Sequence, residues 1–362
     1  MFFAGYYDLE PLKDEKLLVH VCDLDDKTSE NKIEIGYFNV KNKQYQRITE
    51  SSAWCWQQGS RLRWSNIENN TIFYNDVKNG EYCCIKYDIA KEKIIQVIPF
   101  AIYDMNFDET YGISLNFDRL QKLRPGYGYD SIKNEEELQN APDDDGLFLV
   151  NMQTGRRELI ISLGELAKNQ DKKIMYKHYI NHISFSKDGN KIMFFHLWDQ
   201  KEKFNWKTEL CIYDMKNKNT KIIEQNDLVS HYNWKDNENI LITGINYDNN
   251  EEFYRYYNIE TNERVQLNNI TRDGHPIHKE VNNNIFYSDT YPDFYDFQKL
   301  FKYDVIKRKK TRILNIYSEI KLNGEKRCDL HPKYIQNKDV LLIDTTFKQE
   351  KRSVLYIKLK EE

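Results

Sequence analysis

His182-Ile-Ser-Phe185, the tetrapeptide Lys187-Asp188-Gly189-Asn190 and, further on, Tyr213-Asp214-Met215 make up the stretch on which the fold turns. Asp-Gly favours a tight β-turn, so one strand ends near Phe185 and a second leaves after Asn190. Tyr-Asp-Met places an acidic residue between two apolar ones just before another short polar turn. Both halves of this pattern recur. The second half returns as Phe38-Asn39-Val40, Tyr87-Asp88-Ile89, Val150-Asn151-Met152, Tyr257-Asn258-Ile259 and Tyr303-Asp304-Val305, with Ile357-Lys358-Leu359 as a degenerate seventh copy. The first half sets a polar residue three positions before an apolar or aromatic anchor. It returns as Arg61-Leu-Arg-Trp64, Asp104-Met-Asn-Phe107, His231-Tyr-Asn-Trp234, His275-Pro-Ile-His278 and His331-Pro-Lys-Tyr334, with Asp8-Leu-Glu-Pro11 as a weaker first copy. Repeats of roughly 40 to 50 residues built only of short strands are propeller blades. Seven copies predict an all-β, seven-bladed β-propeller occupying residues 1–362 as a single domain. The last repeat has three clear strands, so residues 1–4 are expected to add its fourth and close the ring, which removes open sheet edges.

The composition agrees with strands. The 362 residues include 26 Tyr and 18 Phe, which suit a half-buried pleated surface. Helix-period apolar patterning is confined to residues 159–168. The formal charge of −4 is spread along the chain, which gives no basic face for nucleic acid and no polybasic patch for a membrane. Residues 1–15 lack the basic and apolar regions of a signal peptide, and no stretch is long enough to span a bilayer. The six cysteines, at 22, 55, 83, 84, 211 and 328, show no paired spacing. Reduced thiols and a cytoplasmic location are expected.

In a propeller the joins between strands two and three, and between blades, share one face. The long segments 51–60, 117–145, 161–180 and 315–329 all fall there, and long loops on a rigid scaffold are where binding resides. The residue opening each innermost strand points to the same end of the central axis. These positions read Asp8, Arg61, Asp104, His182, His231, His275 and His331, so four of the eight histidines share one phase. Imidazoles gathered near one axis suit metal binding or proton transfer. The same residues would also serve as strand caps bonded to the neighbouring blade. The following strands bring Asn75, Asp76, His196, Asp289 and Asp344 toward this end. The insertion Leu123-Arg124-Pro125-Gly126-Tyr127-Gly128-Tyr129 presents Arg124 and Tyr127. Trp54-Cys55-Trp56 reads either as an aromatic platform for a sugar or as a plug between blades.

Cys328 and His331 lie three residues apart where a blade enters this end, and His275 opens the adjacent blade. Thiolate and imidazole together suit zinc, with an open position for substrate or water and with Asp329 or Asp289 as a further or orienting ligand. Without a metal, Cys328 is a small buried residue and the histidines are caps.

Three segments, Asp273-Gly274-His275-Pro276, Ser288-Asp289-Thr290-Tyr291-Pro292-Asp293 and Arg327-Cys328-Asp329-Leu330-His331-Pro332, resemble those of oligogalacturonate-lyase-like propellers. Propeller-fold ulvan lyases are similar at greater distance, and related uncharacterised propellers occur alongside polysaccharide-synthesis enzymes. The resemblance covers the whole chain in architecture and the last three blades in motif. It implies a divalent metal held at the channel mouth by histidines and a glutamine, with a histidine one blade earlier as base. By motif, His275 and His331 fall on ligand positions, Cys328 on the glutamine position and His231 on the base position. Lys333 stands where another histidine ligand is expected, and no residue clearly matches that family's arginine near the base. The cysteine favours zinc over manganese as the divalent metal.

The implied function is metal-assisted β-elimination on uronic-acid-containing oligosaccharides or polysaccharides. The neighbouring carboxylate must be neutralised before the C5 proton becomes acidic enough to leave. His275, Cys328 and His331 through a metal, or Arg61 directly, would do this. His231 or His182 would be the base, and Tyr127 or Tyr129 the acid at the leaving oxygen, with Arg124 near the same tip. The alternative is a non-catalytic module binding a glycan or a protein partner at the same aromatic-rimmed mouth. A hydrolase is a third option, although no carboxylate pair has recognisable spacing.

Overall fold

The computed structural model describes residues 1–5, 9–22, 32–168, 175–198, 207–270, 272–280, 283–319, 321–347 and 351–359. Over these residues the chain forms seven sheets in chain order, the blades of a seven-bladed β-propeller. Blade 1 holds Leu12–Lys13, Lys16–Val21, Ile33–Asn39 and Gln44–Ser51. Blade 2 holds Arg63–Trp64, Thr71–Lys78, Glu81–Asp88 and Lys93–Ile98. Blade 3 holds Asp104–Met105, Tyr111–Ser114, Gly146–Asn151 and Arg157–Ser162. Blade 4 holds His178–Phe185, Lys191–Trp198, Lys207–Asp214 and Asn219–Glu224. Blade 5 holds Leu228–Trp234, Asn239–Ile245, Glu252–Asn258 and Arg264–Gln266. Blade 6 holds Ile277–His278, Ile285–Ser288, Phe297–Asp304 and Lys309–Tyr317. Blade 7 holds only Lys333–Ile335, Val340–Thr345 and Ser353–Lys358.

Burial follows position. The second strand of blade 4, Lys191–Trp198, is covered on both faces by neighbouring blades and is buried from Ile192 to Trp198. It therefore reads as a continuous apolar run and not as an alternation. The fourth strand of blade 2, Lys93–Ile98, faces water and is exposed through most of its length. Between blades the faces interdigitate: Leu18 and Ile35 of blade 1 pack with Ile72, Tyr74 and Ile85 of blade 2.

The ring closes differently from the sequence expectation. Phe2–Phe3 pairs with Val21 and His20 of blade 1, on the edge that Leu12–Lys13 leaves half covered. It reaches blade 7 through the Phe2 N–H, which donates to the Arg352 carbonyl at 3.1 Å. Side chains hold the rest of the seam. The Asp344 carboxylate accepts from the backbone N–H groups of Ala4 and Gly5, at 2.9 and 3.2 Å. Buried Arg352 donates to the carbonyls of Trp56, Lys326 and Arg327.

Two short helices lie in the long connections. Helix α1, Phe117–Leu123, is capped by the Asn116 side chain, which accepts from Arg119 N. Helix α2 spans Leu163–Lys168. The helical patterning read over residues 159–168 is thus half strand, because Arg157–Ser162 completes blade 3 first. Among the described residues no helix is long and apolar enough to cross a membrane.

Candidate functional site

The innermost strands of blades 4 and 5 carry a β-bulge where a candidate histidine sits. In blade 4 the register shifts between Asn181 and Ser184, with His182 inside the shift; in blade 5 it shifts between Val229 and His231. His182 has φ 51°, and Arg61 and His331 hold left-handed values of 55° and 40° where the inner strands of blades 2 and 7 begin. Bulges of this kind re-aim a side chain without ending the strand. The conformation is strained for a residue with a Cβ and persists only where its surroundings over-determine it. At His182 they do: its N–H donates to the Tyr103 hydroxyl at 3.1 Å, and its carbonyl accepts from Tyr232 at 2.5 Å.

The side chains so aimed line a central channel of about 990 Å³. Arg61, His182, His231, His275, His331 and Lys333 line it where the inner strands begin. Lys13, Asn66, Phe107, Lys187 and Gln336 line it at the turns between first and second strands. Four imidazoles form an arc in blade order. Ring centroids are 6.0 Å apart for His182 and His231, 4.1 Å for His231 and His275, and 4.6 Å for His275 and His331.

Their environments push them in different directions. Burial would lower the His275 pKa, but the Asp289 carboxylate at 2.8 Å, with Asp329 and Asp273 beyond it, holds it above the ordinary value. Asp289 is fully buried, which would raise its pKa, yet it stays below the usual carboxylate range. It accepts from the His275 ring, from His275 N and from His331 N. His231 is lowered by burial and by the neighbouring His275, with Asp273 opposing; its Nδ1 lies 3.5 Å from Asp273 Oδ1. Asp273, raised by burial alone, is held down by His231, Ser230 and Thr243. His331 is lowered well below the ordinary value by burial, then by His275 and Lys333. His182 is lowered well below it by burial, His231, Arg124, His275 and Arg327.

The excursion 117–145 covers this end of the axis. Tyr127 is buried, with its ring 5.8 Å from that of His182, and its hydroxyl accepts from Arg327 at 2.5 Å. Arg124 lies over the other part of the Tyr127 environment, 5.5 Å from the ring centroid. Arg61 stacks 4.3 Å over Tyr103 and donates to Gln58. Two participants were not assigned from sequence. Tyr291 reaches within 5.6 Å of the His275 ring and 6.3 Å of His231, and Arg327 joins Tyr127 to Asp329. Both stand inside the quoted motifs, two residues past Asp289 and one before Cys328, which was the available signal.

Other sequence candidates stay apart from the arc. Asp104 pairs with Ile113 as Arg63 pairs with Phe73, so it lies two positions past the phase of Arg61; it forms a 2.9 Å ion pair with Arg63. Asp8 lies outside the described residues. Tyr129 is buried, stacks on Phe117 and accepts from Asn75. His196 joins a buried chain with His178 and Glu209, at 2.8 and 2.9 Å. Trp54 and Trp56 pack on each other and on Phe3 as a plug, not as an exposed platform.

The expected metal site does not form. Cys328 faces its neighbour's backbone, with Sγ 3.9 Å from the Asp329 carbonyl, and burial pushes its thiol up to about 12. Lys333 adds positive charge beside His331, where a cation would have to sit. Among the described residues no group of three or more His, Cys, Asp or Glu side chains is arranged to hold a metal ion.

No family model and no curated protein sequence matches the chain. Among solved structures it is similar to an oligogalacturonate lyase in complex with manganese, at 14% identity and TM-score 0.71, over 99% of this chain and 90% of that one. It is also similar to the oligogalacturonate lyase of Vibrio parahaemolyticus, at 14% identity and TM-score 0.69, over 100% and 91% of the two chains. The propeller domain of the Trilobed protease from Pyrococcus furiosus follows at 11% identity and TM-score 0.56, over 97% and 94%. Manganese in the first of these structures, together with the misplaced cysteine here, overturns the preference for zinc. At these identities the likeness is one of fold: a seven-bladed propeller shared, over nearly their full lengths, with two lyases.

Proposed function

We propose that the protein is a carbon–oxygen lyase that cleaves uronic-acid-containing oligosaccharides by β-elimination. The observation that carries this reading is the pair His231 and His275, 4.1 Å apart at the channel and shifted in opposite directions. Adjacent groups driven apart in pKa mark a base and an acid. Neutral His231, oriented through Nδ1 by Asp273, takes the C5 proton on Nε2. The His275 imidazolium, held charged by Asp289, neutralises the substrate carboxylate and stabilises the enolate as it forms. The C4–O bond then breaks, its electron pair leaves with the oxygen, and a C4–C5 double bond remains. Tyr127, whose hydroxyl oxygen accepts from Arg327, donates its proton to that oxygen. Arg61 and Arg124 supply further positive charge for the carboxylates, and His182 lies behind His231 as the next imidazole.

The test is a panel of uronic oligosaccharides followed by the ultraviolet absorbance of the unsaturated uronate product. Turnover by the wild type and loss of at least about a hundredfold in His231→Ala, with an unchanged unfolding midpoint, is the expected result. Binding without turnover, equal in both proteins, would sink the lyase reading and leave a glycan-binding module.

A further inference from the structure

Tyr291, which faces His231 and His275, is the inner residue of a turn whose tip holds two aromatic rings in water. Phe294 is 91% exposed and Tyr295 is 74% exposed. The rings meet edge to face with centroids 5.3 Å apart. The turn that carries them is built, not loose. The Asp293 carboxylate accepts from the N–H groups of Tyr295 and Phe297, and Asp293 N donates to the Phe297 carbonyl at 2.9 Å. Lys299 pairs with the same carboxylate at 3.1 Å, and Asp296 closes the turn in the left-handed region, at φ 61°. The turn orders the backbone beneath two adjacent exposed rings, which lowers the cost of setting them against an apolar surface.

We infer that Phe294 and Tyr295 are a stacking platform for a sugar ring of the same chain whose uronate lies at the histidines, so that the site takes oligosaccharides longer than a disaccharide. This rests on the lyase reading above. The occupant follows from continuity: Phe294 lies three positions after Tyr291, at most about 10 Å of chain, a span covered by a short run of pyranose rings. The turn joins the second and third strands of blade 6, on the face where the excursion 117–145 covers the arc. A pyranose offers an apolar C–H face to an aromatic ring and keeps its hydroxyls at the edge in water, which an exposed ring pair accommodates.

The experiment compares the wild type, the Phe294→Ala/Tyr295→Ala double variant and the conservative Phe294→Tyr/Tyr295→Phe swap, using di- and hexagalacturonate as probes. The platform predicts that KM for the hexamer rises about tenfold in the alanine variant, the weight of one stacked aromatic, while kinetics on the dimer and the conservative swap stay at wild-type values. Equal effects on both lengths, or no effect, overturn it. Should the wild type turn over neither probe, calorimetric binding of the same two oligomers separates the two proposals. Weaker hexamer binding in the alanine variant keeps the platform while the lyase reading falls. Unchanged or absent hexamer binding removes the platform.

Discussion

Replacing Asp289 with Asn tests the electrostatic frame of the arc. The carboxylate is fully buried and accepts from His275 Nδ1, His275 N and His331 N, all at 2.8 Å. It therefore fixes one ring and two backbone segments from adjacent blades. Asn retains one acceptor oxygen, turns an amide toward the donors and removes the partner charge of His275. Breaking a buried charge pair in this way costs about 3 to 5 kcal/mol. The loss should depend on pH. His275 is raised in the folded state, so its share is present in full below the unfolded value, near pH 6.5, and fades as pH rises through the higher folded value. Asp289 is depressed, so its share is present above the unfolded value, near pH 3.9, and fades as pH falls through the lower folded value. The two windows overlap between about pH 4 and 6.5, where the destabilisation should be largest. Urea unfolding of both proteins from acidic to alkaline pH, followed by tryptophan fluorescence, measures it. A destabilisation that is constant with pH, or one that grows in alkali, would refute the charge pairing.

Asp273→Asn removes the group that opposes the lowering of His231, so the acid limb of the pH–rate profile should move to lower pH while kcat falls about a hundredfold; an unmoved limb would count against His231 as the base. Gly59 has φ +56°, and a Cβ there would lie 2.2 Å from His20 Cε1, so Gly59→Ala should lower stability by about 2 kcal/mol in a denaturant titration. A wild-type midpoint would contradict the packing of His20 against this turn. The six cysteines are thiols, of which all but Cys22 are buried, so thiol titration of the native protein should find one fast group and five that react only on unfolding. A rapidly reacting Cys328 would place that residue in the open channel after all.

The seven blades were legible because each repeat states its own hairpin. The phase of the histidines was legible for a related reason: each stands in or just after the bulge, three positions before the last paired residue, as from His182 to Phe185 or His231 to Trp234. The same template misled at Asp104. Phe107 matches the aromatic anchor, but the anchor used is Met105, paired with Gly112, and Phe107 sits in the turn with 69% exposure. Spacing also misled at Cys328. Three residues on paper suggest neighbours, yet His331 is left-handed, and its ring goes to the axis while the thiol stays behind with Asp329. The partnership of Tyr127 with Arg327, 200 residues away, has no local pattern to announce it. Nor does the choice of residues 2–3 between the open edges of blades 1 and 7, which depends on how much edge Leu12–Lys13 leaves uncovered.

Each imidazole of the arc is delivered by a different sheet. The same address holds arginine in blade 2 and histidine in blades 4 to 7, over one unchanged blade design. The axis therefore behaves as a rewritable register, in which chemistry is exchanged one character at a time and the text that specifies the fold is stored elsewhere, in the ladders. A combinatorial library at positions 61, 182, 231, 275 and 331 would explore new reactions without exploring new folds. Stability effects at neighbouring histidine addresses, whose rings lie 4.1 to 6.0 Å apart, should couple and not add, and effects on turnover should multiply or vanish together, because a reaction needs the whole word.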